Sequence, residues 1–575
     1  MVADELTGAL RVMGTRGRRD RAVLVVRARL AARQRVGGVA GVLGRVETHI
    51  VEGATELAIQ CGAQGAHQPV FQMALLGVRN RRRAHQRRQI VMRLPQFVDN
   101  GLQFIGGTWV DSAGDAWIDD RNPSNVNDLV ALVPEGAPDD ATRAAVAAAE
   151  SLGSWSSLTG VSRGDHLHRW SVAIADRHEE LAQAVAREVG KPIGEARGEV
   201  ARGVAILRYY AGEAVREIGE VIPAQAAGAL QFTLREPLGV VALITPWNFP
   251  VAIPLWKAAP ALAFGNTVVL KPAEQASHIA SLLAETAATS LPAGVFNVVP
   301  GSGATVGDAL LRAPEVAAIS FTGSGRIGAR VAAIAAQRNI RYQTEMGGKN
   351  VAIVLPDADL AQAASLTAAG AMRYAGQKCT ATSRVVVAHE IEGPFIAELR
   401  RQIDGLVLGP VTSATAAVGP VISEHARDSI RRALTETDAE RVYEGTVPDT
   451  SDFANGWFLP PTVLRGAPLD SDLAQRELFG PVLAMFPAGD VEQAIAVAND
   501  TAYGLSASLF TRDIRSALQY IRRIKAGLVR VNGDTTGVDP HAPFGGMKGS
   551  SSGSREQGPA AREFYTEIKT VQINP

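Results

Sequence analysis

The sequence predicts an α/β protein built around a parallel, doubly wound sheet, and three observations carry that expectation. Short apolar runs alternate with helical segments through the middle of the chain, the pattern of repeated strand–helix–strand units. The 575 residues are 46% apolar and 20% charged, an ordinary globular composition that excludes wholesale disorder, collagen-like repeats and a disulfide scaffold. The third observation is a boundary. Residues 1–91 carry 16 Arg, no Lys and 6 acidic residues, whereas the remainder holds 42 basic and 52 acidic groups, so the formal net charge of zero sums a basic leader and an acidic body.

Taken in order, the leader alternates Arg-rich patches (16–21 and 79–88) with Gly/Ala/Val stretches. It is long for a transit peptide and lacks the interleaved aromatics of a single-strand binder. The expectation is a poorly ordered, non-functional extension with no nucleic-acid partner, and Met92 is an alternative start. Pro138-Asp139-Asp140 then caps a helical stretch through Glu150, and residues 166–216 keep helical periodicity with an interruption near Gly190-Lys191-Pro192. Residues 240–244, 267–270, 295–299 and 317–321 read as strands, and 276–289 and 325–336 as helices. A second α/β stretch runs from 351 to about 543. Residues 227–237 and 563–573 alternate like the strands of a small pair. The uncharged stretch 237–256 is long enough to span a bilayer, but Pro237, Pro246, Pro250 and Pro254 would break its backbone bonding, so no membrane segment is expected. With only Cys61 and Cys379 and no evident signal peptide, a reducing, cytoplasmic setting follows. The histidines show no ligand spacing, so no metal site is expected.

The chemistry starts at Cys379, in Gly376-Gln377-Lys378-Cys379-Thr380. A lone cysteine is usually a small buried hydrophobe, but Lys378 supplies positive charge that would favour a thiolate able to attack a carbonyl. Such an enzyme needs a base and an oxyanion stabiliser. Glu345, between a strand and Gly347-Gly348, reads either as that base or as a surface glutamate. Asn248, in the Pro-flanked loop Thr245-Pro246-Trp247-Asn248-Phe249-Pro250, reads either as an amide aimed at developing negative charge or as a loop asparagine. Lysine is scarce, 8 against 50 Arg, yet Lys271, Lys349, Lys378 and Lys548 all fall in such segments.

Taken together, Pro246-Trp247-Asn248-Phe249-Pro250, Lys271-Pro272-Ala273-Glu274, Phe321-Thr322-Gly323-Ser324, Glu345-Met346-Gly347-Gly348-Lys349, Gly376-Gln377-Lys378-Cys379, Glu477-Leu478-Phe479-Gly480-Pro481 and Pro543-Phe544-Gly545-Gly546-Met547-Lys548 resemble the signature series of the aldehyde dehydrogenase superfamily, in its order and spacing. The resemblance covers residue 104 to the C-terminus. It implies that Cys379 attacks the aldehyde, that Asn248 with the Cys379 N–H holds the oxyanion, and that Glu345 activates the water that hydrolyses the thioester, with Lys271 also at the catalytic site. Thr245, Pro246, Trp247, Lys271, Glu274, Gly323, Ser324, Gly328, Glu345, Gly347, Glu477 and Phe479 would hold the cofactor, and Lys349 would support the active-site loop. Glu274 favours NAD, whereas Arg326, standing with Gly325 where the family usually continues with threonine, would favour NADP; the cofactor expected is NAD with NADP as the alternative. Met346 replaces the commoner leucine, a volume-conserving change.

The segments 531–551 and 555–558, with 376–384, are similar to the bacterial branch that oxidises 2-oxoglutarate semialdehyde (2,5-dioxopentanoate). Such a substrate carries a carboxylate, and Arg216 is the expected cationic partner, with Trp256, Lys378 and Thr380 as further substrate contacts. A succinate-semialdehyde or broad-specificity enzyme is the alternative. Glu345 argues against a CoA-acylating relative, and the presence of Cys379, Glu345 and Asn248 argues against a retired structural one. The implied organisation is a leader (1–91), a Rossmann-like cofactor domain in two parts (92–225 and 240–345), an oligomerisation strand (226–239), a catalytic domain (346–545) and a C-terminal segment with a second oligomerisation strand (546–575). A homodimer or homotetramer acting on a small-molecule aldehyde follows from the resemblance.

Overall fold

The computed structural model of the protein describes residues 103–216 and 219–575, together with the backbone of five short strands between Leu10 and Ala74. Two units are distinct, residues 1–94 and 95–575. In the first, Leu10–Met13, Val25–Leu30 and Gly44–His49 form an antiparallel sheet, and Glu56–Leu57 pairs with Met73–Ala74. The expectation of a poorly ordered leader otherwise falls outside the described residues.

The second unit contains two large sheets. In the first, the parallel strands are ordered Arg341–Glu345, Val316–Thr322, Val240–Ile244, Thr267–Lys271, Phe296–Val298. Antiparallel segments flank them: Ser551–Ser552 beside Glu345, and the hairpin Gln103–Ile105/Thr108–Val110 at the far edge. The central strand Val240–Ile244 is apolar throughout and its neighbour Thr267–Lys271 nearly so, because both faces are covered. Val241, Leu243, Val268 and Leu270 point into a core with the helices Gly160–Asp176, Ile193–Glu213, Ala252–Ala263 and Ser277–Ala288. Their neighbours Val240, Ala242 and Val269 point the other way, onto Pro138–Ser156 and Gly325–Gln337.

The long helical run expected over 166–216 is three helices, Gly160–Asp176, His178–Val189 and Ile193–Glu213. The second break is Gly190, at φ 72°, where a side chain would meet Pro123 and Pro420 at 2.8 Å. Pro138 opens its helix as expected, and Asp140 accepts the Ala137 N–H at 2.8 Å.

The second large sheet is ordered Glu440–Glu444, Thr462–Arg465, Val482–Ala488, Thr382–Ala388, Asn350–Val354, Ser506–Phe510, Leu528–Val531, parallel except for the first pair. A third, small sheet joins Val221–Ile222, Leu230–Pro237 and Thr566–Ile573, the last two paired in antiparallel register over eight residues from Leu230↔Ile573 to Pro237↔Thr566. Among the described residues no helix is long and apolar enough to cross a membrane.

Candidate active site

The nucleophile loop begins where the helix Leu360–Met372 ends. Tyr374, Ala375 and Gly376 then lie consecutively in the left-handed region, at φ 56°, 52° and 67°. Two of the three carry a Cβ, so the surroundings must hold the turn against its steric cost. Tyr374 N–H donates to Ala417 O at 3.0 Å, and a Cβ on Gly376 would lie 2.3 Å from Gly480 O. Beyond the turn, Gln377 is clamped: its Nε2 donates to Pro420 O at 3.1 Å, and its Oε1 accepts the Ile422 N–H at 2.8 Å. Asn350 Nδ2 donates to the carbonyls of Cys379 and Ala381, both at 2.8 Å. The loop is therefore fixed through its backbone, while the half-buried Cys379 keeps a free thiol.

Asn248 is 3% exposed and its Nδ2 donates to Gln377 O at 3.0 Å, which brings the oxyanion candidate to the nucleophile loop. One of its two N–H groups is used there, leaving the other. Behind it, Lys191 Nζ donates to Asn248 O at 2.7 Å and forms a fully buried ion pair with Glu199. Glu199 Oε1 in turn accepts the N–H groups of Val251 and Ala252 at 2.8 and 3.0 Å, capping the helix Ala252–Ala263. Lys191 also lies 3.9 Å from the Phe249 ring centroid.

Glu345 ends its strand at the C-terminal edge of the first sheet. Ser551 Oγ donates to its Oε2 at 2.5 Å, and its Oε1 is buried without a hydrogen bond. A Cβ on Gly545 would lie 2.9 Å from that oxygen, so only glycine leaves room for the carboxyl. Burial, followed by repulsion from Glu556, pushes the Glu345 carboxyl well above the usual range, against the Ser551 bond and the charges of Lys257 and Arg555. Glu556 is held by Trp256 Nε1 at 2.7 Å and pairs with the fully buried Lys257, which also donates to Ser320 Oγ at 2.8 Å.

Most of the remaining predicted residues lie at the same sheet edge, where ligands of open parallel sheets bind, or in the loops before Thr382–Ala388 and Val482–Ala488 of the second sheet. Thr245 N–H donates to Lys271 O at 3.2 Å, its hydroxyl is buried without a partner, and Pro246 follows in the same loop. Burial lowers the Lys271 ammonium to about 8, partly opposed by Glu274. Ser324 caps the helix Gly325–Gln337 without a side-chain bond, leaving its N-terminal N–H groups for an anion, and Gly323 N–H donates to Glu345 O at 3.0 Å. Gly328 packs against Met346, where a Cβ would meet Sδ at 2.5 Å. Gly348 N–H donates to Glu477 Oε1 at 3.0 Å, and a Cβ on Gly347 would collide with the same carboxylate. Burial raises Glu477 to about 7. Phe479, at φ 56°, meets Trp247 edge-on at 5.6 Å between centroids. Lys349, Lys378, Glu477 and Phe479 line one cleft, and Thr380 is buried beside it, its carbonyl accepting Thr535 Oγ1 at 2.7 Å. These unpaired polar groups, close-approach glycines and paired charges fit a dinucleotide. Among the described residues no cluster of three His, Cys, Asp or Glu could hold a metal ion.

Two of the expected residues lie in other settings. Arg216 lies beyond the end of its helix with a side chain 68% exposed, paired with Glu213 at 3.1 Å, and is not part of the cluster. Lys378 pairs with Glu195 at 2.8 Å, and burial, then Glu477, Glu345 and Glu556, push the Cys379 thiol up. Sequence reasoning missed Lys191, Glu199, Lys257 and Arg202, and left Glu556 and Ser551 unassigned inside a quoted segment. Burial is the signal for the two lysines, which are both fully enclosed in a chain that otherwise favours arginine.

A parallel-sheet cofactor domain whose carboxyl edge meets a cysteine loop, an amide and a glutamate defines an aldehyde-oxidising architecture, and comparison with known proteins agrees. The sequence model of the aldehyde dehydrogenase family matches residues 109–571, and the chain belongs to that family of oxidoreductases. It is 45% identical over 478 residues to an alpha-ketoglutaric semialdehyde dehydrogenase of Bacillus subtilis, covering 82% of this chain and 98% of that one. It is 40% identical to an alpha-ketoglutarate semialdehyde dehydrogenase of Haloferax volcanii, covering 82% and 99%, and 35% identical to a 2,5-dioxopentanoate dehydrogenase of Saccharolobus solfataricus, covering 82% and 98%. Among solved structures, an NAD-dependent aldehyde dehydrogenase of Sinorhizobium meliloti superposes with TM-score 0.79 at 35% identity, covering 82% and 94%. Betaine aldehyde dehydrogenase of Staphylococcus aureus in complex with NAD+ superposes with TM-score 0.80 at 32% identity, covering 84% and 96%.

Proposed function

We propose that this enzyme oxidises 2,5-dioxopentanoate to 2-oxoglutarate with NAD, through a thiohemiacetal and a thioester on Cys379. The observation that carries the chemistry is the convergence of Asn248, Cys379 and Glu345 at one sheet edge, each fixed by buried partners. The relatives named for the same semialdehyde, matched over nearly their whole length, support the substrate.

In this reading the Cys379 thiol gives up its proton to water as its sulfur bonds to the aldehyde carbon, and the free Asn248 N–H with the Cys379 N–H holds the oxygen as it gains charge. A bound nicotinamide supplies the hydride acceptor. Glu345 then takes a proton from the water that attacks the thioester, which requires its carboxylate form. Burial and the neighbouring Glu556 raise its affinity for a proton, the direction expected of a group that must take one from water. Lys271, Glu274 and the N-terminus at Ser324 would hold the adenosine ribose and pyrophosphate, and Glu477 with Phe479 the nicotinamide half. Glu274 supports NAD over NADP, because a carboxylate there repels a 2′-phosphate.

The assembly proposed is a homodimer or homotetramer, supported by the eight-residue strand Thr566–Ile573, whose far edge has no partner strand among the described residues. A cytoplasmic location is proposed with it. The test is steady-state kinetics with 2,5-dioxopentanoate, succinate semialdehyde and hexanal, each with NAD and NADP. The reading expects kcat/KM highest for 2,5-dioxopentanoate with NAD; a clear preference for hexanal would remove the carboxylate from the substrate.

A further inference from the structure

We propose that Arg202, rather than Arg216, is the specificity-determining residue that grips the distal carboxylate of the substrate. The inference rests on the semialdehyde reading above and gives it a residue.

Arg202 stands on the helix Ile193–Glu213, one turn after Glu199, the residue that anchors the Asn248 loop. Arg216 lies 14 residues, or about four turns, further along, which carries it out to solvent. The Arg202 guanidinium donates to Gln557 Oε1 at 3.1 Å, and its central carbon lies 5.9 Å from the Trp256 ring centroid. Trp256 packs against Phe544 at 5.4 Å and donates to Glu556, the carboxylate beside Glu345. Arg202 therefore belongs to the wall that connects the Asn248 loop to the C-terminal segment carrying Glu556.

Glu199 and Asp539 act on its charge only from beyond ion-pair distance. Among the described residues no carboxylate forms an ion pair with Arg202, and its Nε is buried without a hydrogen bond. Beside it, Gln557 Nε2 is a second buried donor without a partner. A guanidinium offers five N–H donors, and leaving a desolvated cation and an amide short of acceptors is costly unless a ligand supplies them. Glu199, Asp539 and, when ionised, Cys379 act on Arg202, which places the cation within electrostatic reach of the nucleophile.

A short aldehyde captured at Cys379 with a carboxylate at its other end matches this arrangement. The planar fork can take both carboxylate oxygens at once, and the Trp256 and Phe544 rings provide apolar surface for the intervening methylenes. An uncharged aldehyde would leave the guanidinium unsatisfied.

Arg202→Met and Arg202→Lys in the full chain test the assignment, with kcat/KM measured for 2,5-dioxopentanoate and hexanal and with glutarate as an unreactive competitor. The Met variant is expected to lower the 2,5-dioxopentanoate-to-hexanal ratio about 10- to 100-fold, mainly through KM, and to abolish competition by glutarate. The Lys variant should fall between, because it keeps the charge without the fork. A wild-type enzyme that prefers 2,5-dioxopentanoate, with a Met variant that keeps the ratio and the glutarate inhibition, would overturn the role of Arg202 and leave the substrate reading standing. A wild-type enzyme without that preference overturns both. Should the Met variant fail to fold, a Lys variant with an unchanged ratio and unchanged glutarate inhibition overturns the assignment on its own.

Discussion

Two buried lysine–carboxylate pairs back the active site, one behind Asn248 and one beside Glu345, and they are finished differently. Lys191 and Glu199 use their capacity on fixed backbone groups: the lysine on Asn248 O, the glutamate on two N–H groups at a helix start. Lys257 and Glu556 are bonded to Ser320 and Trp256, yet they sit beside a third carboxyl, Glu345, that retains an unpaired buried oxygen. The first pair holds an amide still. The second leaves a carboxyl whose proton affinity is set by its neighbours, because nearby carboxylates in a desolvated site cannot all ionise freely. Position is secured on one side, and titration is tuned on the other.

The largest expected effect comes from removing the titrating group while keeping its shape. Glu345→Gln should lower kcat by about 10²- to 10⁴-fold. Because water activation alone is lost, the variant should still release a stoichiometric burst of reduced cofactor before stalling as the thioester. A variant with no burst would place Glu345 earlier in the reaction.

Next in size is the fixed side. Lys191→Met leaves Glu199 buried without its cation and should cost about 3 kcal/mol of stability, read from denaturant unfolding, together with a loss of kcat as Asn248 loosens. A variant as stable and active as the wild type would erase the distinction between the two pairs.

A smaller effect sharpens the tuned side. In the proposed mechanism the carboxylate is the working form of Glu345, so activity is expected above its raised pKa and is lost as pH falls through it. Repulsion from Glu556 contributes to that rise, so Glu556→Gln should move the acid limb of the kcat profile to lower pH. An unmoved or upward-moved limb would remove Glu556 from the tuning. Smallest of all, Arg216→Ala should change kcat/KM by less than about twofold, as expected for an exposed i,i+3 pair.

The sequence resolved the sheet strands well because buried parallel strands are continuous apolar runs, and residues 240–244 match Val240–Ile244. It read residues 166–216 as one interrupted helical run, since Arg177, the first break, carries no Gly or Pro signal. The cysteine, the base and the amide were visible because each lies in a Gly- or Pro-marked turn. Arg202 and Lys191 were not, because a cation on a helix looks the same in sequence whether it faces water or a buried cleft, and only packing distinguishes them. The choice of Arg216 shows the cost: without burial, spacing along a helix does not say where the helix ends.

The pairing of Ser551–Ser552 with the strand that ends in Glu345 also has an implication for how the enzyme comes into being. The groups that surround the base, Ser551, Arg555 and Glu556, come from the last 25 residues of the chain, 206 positions and more after Glu345 itself. Every other strand of the two large sheets has been synthesised before any of these residues emerges. A chain still being made therefore carries Cys379 before the surroundings of Glu345 exist, and the candidate site is assembled only after residues 551–556 have been made and dock.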